Sequence, residues 1–353
     1  MLRCVPSELV EPAAAQPTVA VVIPVFDGGS AFERCLAAVR ALSPAPDEVI
    51  VVDDCSTDGS AANAAAAGAR VLSLPARGGP AAARNVAART ASSAILLFLD
   101  ADVIPSTDVV GRVRAAFSAA PAVSAVFGSY DDAPDAVDFI SQYKNLFHHF
   151  THQRSAAEAS TFWSGCGAVR REIFLWSGGF DESYRRPCVE DIELGYRLRA
   201  AGHRIQLLPG LQVKHLKAWT AASQLRVDLC DRAVPWSELI LQRGKLASDL
   251  NLGHASRAAV MLAAAALVLL SCAPWSRAAL AGAAVALAAQ TALDLPLWRF
   301  FRQRRGRRFA LRAILWHRLY HWLCGFGFAA ALVRFCFARE PAGSADLLRE
   351  TPP

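Results

Sequence analysis

The sequence has no C-x-x-C pair among its nine cysteines, no apolar run in its first residues, and only 19% charged side chains. Each shortage excludes something. Scattered cysteines, odd in number, argue against a disulfide framework or a cysteine-rich zinc site, and fit free thiols in a reducing compartment. The stretch Met1–Glu11 contains Arg3, Pro6, Glu8 and Glu11 and no hydrophobic segment of a secretory signal, so the front of the chain is expected to stay in the cytoplasm. Low charge goes with 54% hydrophobic residues and a mean hydropathy of +0.26, high for a wholly soluble chain. The excess sits mainly after residue 257. The formal charge of +6 excludes little. It permits a partner bearing phosphates: a nucleotide, a lipid headgroup or a nucleic acid.

What is present in the front half is an alternation of strand-like and helix-like segments. Val19–Val25, Glu48–Val52, Arg70–Leu74 and Ile95–Leu99 read as strands. Ser30–Leu42, the alanine-rich stretch from Asp58 to Gly68, and Gly79–Thr90 read as helices. Alternation of this kind predicts a parallel sheet with helices on both faces. Ligands then bind beyond the carboxyl ends of the strands. Asp53-Asp54 and Asp100-Ala101-Asp102 fall at those ends. Further on, Asp138–Arg154 and Val189–Gly202 read as helices, and Gly165–Arg170 and Arg204–His215 as strands.

After Arg257 the character changes. Ala258–Ala273 and Ala278–Leu293 are almost uncharged. A third apolar run, Ala313–Phe337, is interrupted by His317, Arg318, His321 and Arg334. A bilayer span needs about 20 residues. The first two runs are slightly short and are expected to form a hairpin of two spans. The third suits an interfacial helix or a further span. Between them, Arg299, Arg302, Arg304, Arg305, Arg307, Arg308 and Arg312 read as a cytoplasmic basic loop by the positive-inside rule. The competing reading is a buried hairpin of a soluble protein.

Several residues carry chemistry. Asp100 and Asp102 close a buried strand, where two carboxylates repel unless a cation joins them. Mg²⁺ or Mn²⁺ takes oxygen ligands and keeps substrate phosphates in its shell. A solvated acidic loop would look the same. Asp53 and Asp54 can accept hydrogen bonds from a base or ribose, and equally cap the following turn. Arg77-Gly78-Gly79-Pro80, with Arg84 one turn into the helix, suits phosphate or a plain glycine turn. Glu190 and Asp191 open a helix, where an acid can take a proton from a sugar hydroxyl or merely oppose the helix dipole. His215 offers a third metal ligand or a structural ring.

The ordered set of motifs resembles the family 2 glycosyltransferases over roughly residues 18–220, about the size of one domain. The pieces are Val21-Val22-Ile23-Pro24-Val25-Phe26, Val51-Val52-Asp53-Asp54 through Gly59, Ala83-Arg84-Asn85, Leu99-Asp100-Ala101-Asp102, Gly178-Gly179-Phe180-Asp181-Glu182 and Glu190-Asp191-Ile192-Glu193-Leu194. The resemblance implies a GT-A fold, a Rossmann-like mixed sheet flanked by helices, and inverting transfer from a nucleotide-diphosphate sugar, UDP preferred over GDP. It implies that Pro24, Phe26 and Asp54 line the nucleotide pocket, with Asp53 and Arg84 on the donor side. Asp100 would contact ribose or metal, Asp102 would ligate Mg²⁺ or Mn²⁺, and His215 would approach the metal. Asp191 would be the general base. Gly165, Gly178, Gly179, Asp181 and Glu190 would shape the donor-sugar and acceptor side.

One element departs from the pattern. Processive synthases of the family carry a Q-x-x-R-W element, and the corresponding stretch here is Asp231-Arg232-Ala233-Val234-Pro235-Trp236. Single-sugar transfer is therefore expected, to a lipid-linked or glycan acceptor at a membrane. The expected organisation is an extension (1–17), the GT-A domain (18–220), an amphipathic interface region (221–256), an apolar hairpin (257–298), the basic loop (299–312), a third membrane or interfacial helix (313–337) and a tail (338–353). The expected place is the inner membrane, with the catalytic domain cytoplasmic. Membrane lipids are expected partners, nucleic acid is not. Two alternatives compete: a noncatalytic membrane scaffold, which intact Asp100, Asp102 and Asp191 oppose, and a nucleotidyltransferase, which the missing cation in Val25–Ser30 opposes.

Overall fold

A computed structural model describes residues 16–244 and 250–337. The extension up to residue 15 and the tail from 338 lie outside these described residues. The chain forms β1 (Val19–Val25), α1 (Gly29–Arg40), β2 (Glu48–Asp53), α2 (Ser60–Ala66), β3 (Arg70–Ser73), α3 (Gly79–Thr90) and β4 (Ile95–Leu99). There follow β5 (Val103–Pro105), α4 (Val109–Ala119), β6 (Val123–Tyr130), α5 (Phe139–Arg154), β7 (Glu158–Ala159), β8 (Cys166–Arg170), α6 (Arg171–Trp176), α7 (Glu190–Ala200) and β9 (Arg204–His215).

The strands make one sheet in the order β3-β2-β1-β4-β8-β6-β9-β5, with β7 added against β9. The first four are parallel, as the alternation of segments predicts. The sheet as a whole is mixed: β8 runs antiparallel to both β4 and β6. The central strands read as continuous apolar runs because both faces are covered. Every residue of β4 is buried, which is the pattern expected of strands packed on two sides. Phe98 stands at the centre, its ring 5.3 Å from Phe180 and 5.4 Å from Phe174.

Past the sheet come α8 (Ala221–Arg226), a π-helical stretch (Val227–Ala233) and α9 (Val234–Arg243). The segment read as an amphipathic helix is thus interrupted by wider turns. Pro235, in the first turn of α9, lacks an N–H to continue the ordinary ladder. The last elements are α10 (His254–Cys272), α11 (Arg277–Leu293) and α12 (Leu295–Phe337).

Two corrections follow here. The stretch read as a basic loop is helical, part of α12, and leaves helical geometry only at Gly306, whose φ is 83° and ψ 177°. Arginine is a good helix former, and three of these arginines find partners on the domain. Arg304 pairs with Asp132 at 2.7 Å, Arg305 Nε donates to Gln142 Oε1 at 2.6 Å, and Arg312 lies over the Phe139 ring. The second correction concerns spans: α10 and α12 are the helices long and apolar enough to cross a bilayer, while α11, at 17 residues, is shorter. Only 17% of the apolar window of α10 or α12 is buried within the protein. Met261, Val268, Val285, Leu311 and Leu315 are exposed.

A second, smaller core joins the two parts. Tyr143 and Leu146 of α5 pack with Leu297, Trp298, Phe301, Ala310 and Ala313 of α12. It is built from rings: Phe139, Phe147 and Phe150 on one side, Phe300, Phe309 and Trp316 on the other.

Candidate active site

The site lies where β4 ends. Short β5 pairs antiparallel with the end of β9, with Val103 opposite His215, and Leu216 N donates to Asp102 O at 2.8 Å. This pairing carries a ring from residue 215 to a carboxylate at residue 102, with His215 Nε2 3.6 Å from Asp102 Oδ2. The His215 ring is itself held flat against Tyr130, 4.1 Å between centroids.

Asp100 faces the other way. Its Oδ1 accepts from Arg84 Nη2 at 2.7 Å, while Arg84 Nη1 donates to Glu190 Oε1 at 3.1 Å. Arg84 is buried. It is not a free phosphate ligand, since both terminal nitrogens are taken by carboxylates from opposite sides of the cleft. Burial pushes the Asp100 carboxyl up despite Arg84, and the Asp102 charge pushes it further. Asp102 ends below the usual carboxylate range: against the upward push of burial, the hydrogen bond and charge of His215 and the charge of Lys217 draw it down. Burial also raises Glu190, with Asp191 adding repulsion and Arg84 opposing. Such a crowd of carboxylates is the setting expected of a functional cleft. The donor set of two carboxylates and an imidazole fits a divalent cation, and the nitrogen suits Mn²⁺ better than Mg²⁺.

Asp191, at the start of α7, has Oδ2 at 3.2 Å from the amide of Ser164, and its Oδ1 is 4.0 Å from Arg232 Nη1. It borders a cavity of about 200 Å³ that Tyr130, His215, Lys144, Trp219 and Arg232 also line. Asp191 and His215, which the sequence puts 24 positions apart, therefore share one chamber.

Other expected residues sit at the margins or in the frame. Asp54 Oδ1 and Oδ2 accept from the amides of Gly78 and Gly79, at 2.7 and 2.9 Å. Asp53 Oδ1 accepts from Ser56 N at 3.1 Å, so the capping alternative holds for it. Phe26 is 38% exposed and carries the Arg77 guanidinium 3.5 Å above its ring, beside half-buried Pro24 on β1. Gly165 leaves no room for a side chain: a Cβ there would strike the Trp163 ring and come within 3.0 Å of Asp100 Oδ2. Gly178 and Gly179 have φ of 83° and 73°. They form a turn clamped by Asn85, which donates to Phe180 O and accepts from Phe180 N, both at 2.8 Å. Asp181 Oδ1 accepts from Ser183 N at 2.9 Å on the surface.

The sequence reading missed Arg232, Lys144, Trp219 and Tyr130 as site residues. A signal existed for one of them: Arg232 lies in the stretch singled out as departing from the Q-x-x-R-W element, and that stretch lines the chamber.

The sheet and its flanking helices have the GT-A arrangement, with acidic residues at the strand ends. Residues 20–176 match Glycosyl transferase family 2. The chain is 29% identical over 250 residues to the pre-mycofactocin glycosyltransferase of Mycobacterium tuberculosis (strain ATCC 25618 / H37Rv), covering 65% of this chain and 51% of that protein. It is 28% identical over 257 residues to the validoxylamine A glucosyltransferase of Streptomyces hygroscopicus subsp. limoneus, covering 62% and 56%. The chain thus spans about half the length of the curated relatives it matches. Among solved structures it resembles a mannosyltransferase from Pyrobaculum calidifontis in complex with GDP-Man and Mn²⁺, with a TM-score of 0.55, 22% identity, and coverage of 93% of this chain and 89% of that one. That likeness of fold extends beyond the catalytic sheet.

Proposed function

We propose that this protein transfers a single sugar, with inversion, from a nucleotide-diphosphate sugar to a lipid-linked acceptor at a membrane surface. The observation that carries this reading is the adjacency of two cavities. The polar chamber beside Asp191 shares Phe147, Thr151, Trp236 and Tyr320 as wall with an apolar cavity of about 480 Å³ beneath it, between α5, α9 and helices α10 to α12. A lipid tail fits the lower space, and its polar head then stands at Asp191.

The chain's residues divide the work. Phe26 and Arg77 offer a stacking face and a cation for the nucleotide. Asp102, Asp100 and His215 would hold Mn²⁺ or Mg²⁺, which when bound neutralises charge on the leaving diphosphate. Arg84 fixes Asp100 and Glu190, keeping the donor side and the acceptor side in register. Asp191 accepts the proton of an attacking hydroxyl, a poor nucleophile until a base receives that proton. Arg232 favours an acceptor whose head group is anionic, while Lys144, which lines the same chamber, is paired with Asp228. The Q-x-x-R-W element of processive enzymes is absent, which supports one transfer per acceptor. The exposed apolar faces of α10 and α12, with the arginines of α12, support attachment to the inner membrane with the catalytic domain on the cytoplasmic side.

The test is thermal stabilisation of the detergent-purified protein by UDP- and GDP-sugars, with and without Mn²⁺. A metal-dependent shift with one nucleotide, lost in Asp102→Ala, supports the reading and names the donor. A shift that persists unchanged in Asp102→Ala removes that residue from the metal site.

A further inference from the structure

A second cluster of ligating side chains lies away from the catalytic cleft, and the catalytic reading does not use it. Asp294, at the turn between α11 and α12, faces His317 and His321, one helical turn apart on α12. A ligand atom from each lies within 4.8 Å of the other two. Both histidines are buried. All three line the 480 Å³ apolar cavity.

Their spacing is wrong for hydrogen bonds and close to right for coordination. Asp294 Oδ2 is 4.0 Å from His317 Nε2 and 3.9 Å from His321 Nδ1. Both distances lie beyond hydrogen-bond range. Four-coordinate zinc, with bonds of about 2.0–2.1 Å, sets its ligands roughly 3.4 Å apart. These two separations would close by about half an ångström to reach that spacing, and the third pair, within 4.8 Å, by as much as the ring orientations require.

The surroundings are those of a coordinated imidazole. His317 Nδ1 is 2.6 Å from the hydroxyl of buried Tyr143, which can accept the ring N–H and so turn the Nε2 lone pair toward Asp294. Metal-bound histidines are commonly oriented through their second nitrogen in this way. Gln290, 1% exposed, donates from Nε2 to His321 Nδ1 at 2.8 Å, while its Oε1 has no partner; coordination requires the amide to turn over, so that Oε1 accepts Nδ1–H and the Nε2 of His321 becomes the ligand atom. Among the described residues, no hydrogen bond reaches the Asp294 carboxylate. A carboxylate and two imidazoles thus converge with no hydrogen bond among them. Ionisable side chains in an apolar helical region are functional by default, because their desolvation must be offset.

We infer that Asp294, His317 and His321 form a binding site for a transition metal of the zinc class, separate from the catalytic Asp100–Asp102 pair, with a fourth position open to the apolar cavity. The nitrogen-rich donor set selects zinc-class ions over Mg²⁺ or Ca²⁺. The ion would tie the α11–α12 turn to the face of α12 that grips α5 through Tyr143.

The test uses the full-length chain in detergent carrying Asp102→Ala, so that the catalytic pair is disabled. After chelator treatment the protein is titrated with Co²⁺ alone and read by visible absorption. The expected result is the intense visible spectrum of four-coordinate Co²⁺, saturating at about one equivalent for a single site and bleached by Zn²⁺. Asp294→Asn, which preserves shape, and His321→Gln, introduced separately, should each abolish the spectrum while circular dichroism stays unchanged. Absence of the spectrum in the Asp102→Ala protein overturns the assignment. So does a spectrum of full strength in both further variants. Neither result bears on sugar transfer, which is read by donor-induced stabilisation.

Discussion

The two cores of this molecule are built from different material. The sheet core is aliphatic and β-branched: Val19, Val21, Val22, Ile23, Ile50, Val51 and Val52 fill the parallel half. The core between α5 and α12 is aromatic and edged with arginine. Branched aliphatic chains fit a pleated, covered strand. Rings fill the wider gap between crossing helices, and their faces accept neighbouring guanidinium groups. The first core positions the acids at the strand ends. The second sets where that rigid body stands relative to the apolar helices. Chemistry and placement are thus separable, and substitutions should separate them.

The largest expected effect is on chemistry alone. Asp191→Asn should leave donor-induced stabilisation intact and lower turnover by about 10²–10⁴-fold, the usual contribution of a general base. Unchanged turnover in a steady-state assay would exclude that role. On the placement side, Phe301→Ala should cost about 3–5 kcal/mol of stability, as for other buried rings. Phe301 is fully buried, so chemical denaturation should show the loss, with donor affinity of the folded fraction unaltered.

Acid should probe the seam between the two regions. Burial holds His152 of α5 neutral, its pKa pushed down to about 4, and its Nδ1–H donates to Gly128 O at 2.8 Å. The unfolded chain takes up a proton near pH 6.5 and the folded chain does not. The contribution is therefore complete above about pH 6.5 and is lost as pH falls toward 4, amounting to about 3 kcal/mol. A flat stability profile across that window would show that the ring is already charged in the fold.

Smaller effects sharpen the contrast. At Gly179 any side chain meets Asn85, and φ is 73°. Gly179→Ala should cost about 1–3 kcal/mol and loosen the turn before α7, visible as faster amide exchange at Phe180. Arg304→Ala removes an ion pair whose partners are 50% and 33% exposed. It should change stability by less than about 1 kcal/mol, a shift in melting temperature near the limit of measurement.

Legibility in the sequence followed the same division. Val19–Val25, Ile95–Leu99 and Arg204–His215 are strands with the boundaries that composition and alternation suggest. The antiparallel turn of β8 was not visible from residues, because its burial on both faces gives it the same apolar run as a parallel strand. β5 and β6 escaped notice. β5 is three residues long and ends in proline, yet its register carries His215 to Asp102. In β6, Ser124, Gly128 and Ser129 interrupt the apolar run. The arginine-rich start of α12 looked like a loop because charge was read as exposure, whereas Phe300, Phe301 and Phe309 among the arginines supply a buried face. Asp100, Asp102, Asp191 and His215 stand out in short motifs as candidates for chemistry. Arg232 and Lys144 were not, since only the fold brings residues so distant in the chain into one chamber.

Helix α5 belongs to both cores: His152 touches the Phe127 ring on the sheet side, and Tyr143 reaches His317 on the other. One helix is thus a party wall between two rooms. A wall held from both sides cannot be moved to suit one occupant alone. A shift of α5 that widens the lower room also displaces Lys144 and His148 in the upper one. The width of one room and the shape of the other are therefore read by a single ruler.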